Sequence, residues 1–190
     1  MPLFIWVTGF LLFVSFAFFA FAQAAVARNG AQSAADAAAL AASQDARDEL
    51  VDRLLLSAVE GDEDWTDWLE VDHLVGETAE AAAARLAAAN DAQVTSFLGT
   101  VVDGKDGYAV RTRSLDPVGD SVLPMTNGSY ANAEATAVIE PLCQPSPEGD
   151  LETRISFSCE DGTHVDVDIG DFGIDDLPDP STLFSVYLAN

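Results

Sequence analysis

The side chains in this 190-residue chain with types and spacing suited to chemistry are two cysteines, two histidines and many of its 32 carboxylates. Cys143 and Cys159 stand 16 positions apart, which suits a disulfide across a hairpin. Closing a loop of that length would contribute ~3 kcal/mol in the chain-entropy model. A metal site is not expected, because His73 and His164 are the only histidines and no Cys-x-x-Cys pair exists. His164 follows Cys159 closely enough that a tight turn could set a base beside a thiol, but the disulfide is the preferred reading. Asp166 and Asp168 share one face of an alternating segment. Paired carboxylates can act as acid and base or hold a cation, yet the same spacing is the solvent side of an amphipathic strand, and we take it as that. The acidic run at 61–68 has Trp65 and Trp68 at helical-turn spacing. Counted from Asp62 as a calcium loop, its sixth and twelfth positions hold Asp67 and His73, where Gly and Glu are needed. Surface acidity is therefore expected there. No catalytic residue, cofactor or metal is expected anywhere in the chain.

The dominant element is residues 2–27, which carry no charged side chain before Arg28. About 20 apolar residues suffice to span a bilayer, and lipid forces such a segment to be a helix. Ala20-Phe-Ala22 before Gln23 has the small-x-small form of a signal cleavage site. No Lys or Arg precedes the run, however, and the run is long for a signal core. We expect a retained transmembrane or pilin-type helix, with single-pass topology and the rest of the chain outside the cytoplasm. Apolarity does not separate a plain anchor from a pilin-type helix that moves into a filament core.

Lys and Arg total 8, and the formal charge is -24. That excludes nucleic acid, which needs a positive surface to displace counterions. It also disfavours docking on an acidic lipid surface. Residues 28–60 form an expected alanine-rich extension of the first helix, with Asn29-Gly30 as its most bendable point. Leu50, Val51, Leu54 and Leu55 make an apolar stripe. Gln23, Ala27, Gly30, Ala31, Ala34 and Ala38 lie on a face where small side chains let another helix approach. Two readings of this face stand: a packing surface for sibling subunits, or simple alanine-rich helix. Thr78 is positioned to cap a second helix running from Ala79 to about Val94. Strands are expected over 94–102, 108–113, 133–139, 154–159 and 164–169, with a turn cluster at 103–107. Near the C-terminus we expect a short helical turn or an edge strand. The expected fold is α+β: the anchor and its extension, then residues 61–190 as an acidic extracytoplasmic domain with a small antiparallel sheet.

The apolar run passing into Gln23 through Arg28-Asn-Gly30-Ala-Gln-Ser-Ala-Ala-Asp36 and Leu40 to Ala42 resembles the N-terminal region of TadE/TadG-like proteins, especially actinobacterial ones. The segments 133–143 and 179–186 resemble the C-terminal half of those members. The resemblance implies a membrane-inserted minor pilin or assembly subunit of a tight-adherence (Tad, or Flp) pilus and secretion system. It implies no enzymatic activity, and partners that are the membrane, other pilin-like subunits or Tad assembly proteins, met as homo- or hetero-oligomers through the N-terminal helix. The chain has no DxSxS motif, so the metal-dependent adhesion of larger relatives is not implied. The alternative is an anchored extracytoplasmic domain that binds a ligand or cation outside any filament.

Overall fold

A computed structural model describes residues 2–60, 68, 78–117, 128–146, 154–168 and 179–189. Helix α1 runs unbroken from Pro2–Glu60, 59 residues, with helical hydrogen bonding through Asn29 and Gly30. Its two halves have different surroundings. From Leu3 to Gly30 nearly every residue is exposed, whereas from Ala31 onward one face is buried. Ala31, Ala34, Ala35, Ala38, Ala39, Ala42, Ala46, Leu50, Val51, Leu54 and Leu55 form that face at three- and four-residue spacing.

The buried half packs on a four-stranded antiparallel sheet in the order β1-β2-β3-β7. Its strands are β1 (Ala92–Val102), β2 (Lys105–Pro117), β3 (Tyr130–Pro141) and β7 (Phe184–Ala189). Tyr108, Val110 and Thr112 of β2 alternate toward α1, as do Ala133, Ala135, Ala137 and Ile139 of β3. Alanines thus line both sides of the helix–sheet seam, and small side chains let the two backbones approach closely, so that the short Ser43 side chain of α1 reaches the Ala137 carbonyl of β3. Gly107 shows the same crowding within the sheet: a Cβ there would lie 2.0 Å from the Ala137 carbonyl oxygen. Helix α2 (Ala79–Ala89) packs against α1 and β1.

A second sheet joins β4 (Cys143–Pro145), β5 (Arg154–Cys159) and β6 (His164–Asp168). Ile155, Phe157, Cys159 and Val167 face inward, in one hydrophobic cluster with α1, Leu183 and Phe184. The short helix α3 (Pro180–Leu183) leads directly into β7, so both expected forms of the C-terminal segment are present in series.

The architecture is α+β, as the pattern predicts. Some boundaries differ. Helix α2 stops at Ala89 rather than near Val94. Asn90 donates from its side chain to the Leu86 carbonyl, and Asp91 takes a positive φ of 54°, which turns the chain into β1. The 103–107 cluster contains a turn of only Asp103 and Gly104, with φ of 52° and 78°. Those values at a two-residue loop are the type I′ hairpin geometry, and the strand resumes at Lys105. Trp68 packs beside Arg53, whose guanidinium lies 5.9 Å from the ring centroid. Asp62, Trp65, Asp67 and His73 lie outside the described residues, and with them the test of the acidic loop.

Candidate functional site

The conspicuous surface is the free half of α1. Phe4, Trp6, Phe18 and Phe21 are each about four-fifths exposed, and apolar side chains surround the helix on every side. The helix over Leu3–Ser57 contains a window with mean hydropathy 2.3 and none of it buried, long and apolar enough to cross a membrane. A buried core helix would show the reverse. The expected packing residues divide at the point where α1 meets the sheet. Gln23 and Gly30 are exposed and Ala27 is half-buried, while Ala31, Ala34 and Ala38 are covered by the chain's own domain.

Two buried hydroxyls fasten this junction. Thr112 of β2 donates to the Ala31 carbonyl at 3.3 Å, where α1 enters the domain. Ser43 of α1 donates to the Ala137 carbonyl of β3 at 3.1 Å. Both residues are fully buried, so each bond satisfies a group that would otherwise be costly to desolvate. Gln32 donates to Asp36 and to the Glu134 carbonyl. Thr78 sits at the N-cap position of α2, but its hydroxyl donates to Asp45 of α1 at 2.6 Å rather than capping its own helix. Sequence reasoning missed Ser43 and Thr112. The available signal was that Ser43 falls on the same stripe as Ala39 and Ala46.

The remaining candidates for chemistry separate. Cys143 and Cys159 form a disulfide between directly opposed residues of β4 and β5. The Glu160 N–H donates to the Leu142 carbonyl, which makes the cysteines a non-hydrogen-bonded pair, the position where opposed side chains are closest. Cys159 is therefore not a thiol, and His164 is exposed on the next strand. Asp166 and Asp168 are exposed. Asp166 accepts a hydrogen bond from Ser156, and Asp168 lies opposite Arg154. Among the described residues no group of three or more His, Cys, Asp or Glu side chains is placed to hold a metal.

On the outer face of the sheet, Lys105 binds Glu140 at 2.7 Å and the Tyr187 hydroxyl at 2.6 Å. Those hydrogen bonds, Glu140 first, raise the Lys105 pKa, and the same lysine lowers that of Glu140. Burial pushes the Tyr108 phenol up, with Glu49 and Asp45 adding to it. The hydroxyl and N–H of Ser181 lower the Asp179 pKa where that carboxylate caps α3. These are structural contacts that join strands and ends. They do not converge on a cleft.

Residues 1–47 match the family described as putative Flp pilus-assembly TadE/G-like. Over this segment the chain is similar to TadE/G-like proteins. The match covers the free half of α1, the junction at Ala31 and the first turns of the buried face, including Ser43. No curated protein and no solved structure matches the chain.

Proposed function

We propose that this protein is a structural, pilin-like subunit of a Tad-type pilus or of the machinery that assembles it. One observation carries the reading: a single unbroken helix is bare and apolar for its first half and packed into a folded domain along one face of its second. At about 1.5 Å per residue, residues 2–27 extend ~39 Å, more than the ~30 Å hydrocarbon core of a bilayer. The TadE/G-like match over the same helix supports a pilus-assembly context.

In this reading the free half of α1 lies in the membrane before assembly and against neighbouring helices afterwards. Ala27 and Gly30 allow close helix approach just outside the domain, and the Gln23 amide can hydrogen-bond across such a contact. Ala31, Ala34 and Ala38 instead seat the helix on its own sheet, so that axial position and domain orientation are coupled. The acidic domain stays in water on the extracytoplasmic side, where the Cys143–Cys159 bond persists. The role is mechanical rather than catalytic. Clean deletion of the gene, with complementation, is expected to reduce piliation or surface attachment. Normal pili and attachment in the deletion strain would overturn the proposal.

A further inference from the structure

Among the described residues the four-stranded sheet has two open edges, and their composition is unusual for this chain. Neither the 11 residues of β1 nor the six of β7 include a charged side chain, although 21% of the chain is charged. The charges lie on the central strands: Lys105, Asp106, Arg111, Arg113 and Asp116 on β2, and Glu134 and Glu140 on β3. Edge strands ordinarily carry charges or proline to discourage pairing with another chain, so this distribution is the inverse of the protective one. No described strand pairs with the outer side of β1 or β7. On β1, Leu98 is 62% exposed and Val101 60%. A bulge at Thr95 ends the irregular part of β1, leaving residues 96–102 as a regular segment about as long as β7. In a molecule of charge -24, these edges are where two copies can approach without setting like charges face to face.

We propose that the sheet continues from one copy of this chain into the next, the open edge of β1 pairing antiparallel with the open edge of β7 of a second copy. The inference rests on the reading that α1 of every copy enters the same membrane or filament in the same direction. Successive strands in the order β1-β2-β3-β7 are all antiparallel, so β1 and β7 run oppositely. Two copies side by side with parallel α1 helices therefore present β7 antiparallel to β1. Antiparallel pairing of β1 with another β1 would turn one α1 upside down. The two-residue hairpin makes Val102 and Lys105 a hydrogen-bonded pair, so Phe97, Gly99 and Val101 point their backbone groups at the open edge. The Leu142 N–H bond to the Leu183 carbonyl sets the alternation on β7, leaving Phe184, Val186 and Leu188 pointing outward. Pairing Phe97 with Leu188, Gly99 with Val186 and Val101 with Phe184 uses the whole of β7. It keeps both α1 helices on the same side of the joined sheet. Such a head-to-tail contact is heterologous, and it propagates into an extended assembly unless its rotation closes a ring.

The register places Leu98 opposite Tyr187 of the second copy, on the outer face. The test is the full-length chain with Leu98→Cys and Tyr187→Cys, oxidised gently in native membranes. Within one copy β2 and β3 separate these positions by ~14 Å, too far for an internal bond. The expected result is a ladder of dimers, trimers and higher species from the double variant, and none from either single variant. Adding Val101→Lys should reduce the ladder at least several-fold while leaving the chain in the membrane. Three results would overturn the inference: no ladder from membrane-retained chain, dimers from Leu98→Cys alone, or cross-links only to a different protein. If deletion of the gene abolishes pili but no ladder forms, the strand pairing alone falls. If deletion leaves pili intact, the pilus reading falls, whatever the cross-links show.

Discussion

Replacing Ala38 by leucine probes the seam that converts a membrane-length helix into part of a folded domain. Ala38 is 0% exposed and shares a cluster with Ala135 and Ala137 of β3. A leucine there adds an isopropyl group where both surfaces are already alanine, so the helix must lift or the strand must shift. Overpacking of this kind costs about 1–3 kcal/mol. In a chain of this size each kcal/mol lowers the melting temperature by about 2–4 °C, which predicts a fall of roughly 2–12 °C. The assay is thermal unfolding of the full-length protein in detergent, followed by circular dichroism in the strand region. Ala24→Leu is the control, because Ala24 is exposed on the free half of the same helix. It should leave the transition within ~0.5 kcal/mol of the parent. Equal melting of parent and Ala38→Leu would refute the close seam, and with it the coupling of helix position to domain orientation.

Other outcomes follow from single contacts. Reduction of the Cys143–Cys159 bond, or Cys143→Ser with Cys159→Ser, should destabilise the domain by ~3 kcal/mol, and reductant should then have no further effect on the double variant's melting. Ser43→Ala should cost ~1 kcal/mol in denaturant midpoint analysis, since the Ala137 carbonyl keeps its place in the sheet ladder while one bond is lost. The Asp179 pKa is lowered by the Ser181 hydroxyl and N–H, so its contribution is present above the unfolded carboxyl value near 4. That contribution is lost as pH falls through the folded value. Asp179→Asn, which keeps an acceptor for the cap, should flatten the pH dependence of melting below about pH 4. An unchanged acid slope would show that the Asp179 cap does not contribute to it.

The membrane-length helix, the disulfide and the α+β class were legible because each depends on local composition or on a single pair. The alanine face was legible as a stripe of small residues, with sibling packing and plain alanine-rich helix left as its two readings. What it packs on was not, since Ala31, Ala34 and Ala38 have the same spacing whether they meet another helix or their own sheet. The end of α2 was hidden by composition: residues 79–94 are strongly helical in content, and the stop comes from Asp91 adopting a left-handed conformation. Thr78 fits the sequence rule for a cap, but Asp45, more than thirty residues earlier, takes its hydroxyl. Sheet order, and hence the uncharged character of both edges, depends on β7 returning beside β3. No local pattern encodes that long-range pairing.

The central claim is that residues 2–27 remain part of the mature protein and act as a membrane and assembly helix. Intact mass and N-terminal sequencing of the protein from native envelopes and from sheared surface material test this most directly. The expected result is a chain that retains this segment in the envelope and also appears with it in the sheared fraction. A mature chain beginning near Gln23 would contradict the account, because the helix would then be a removed signal and the protein a secreted acidic domain.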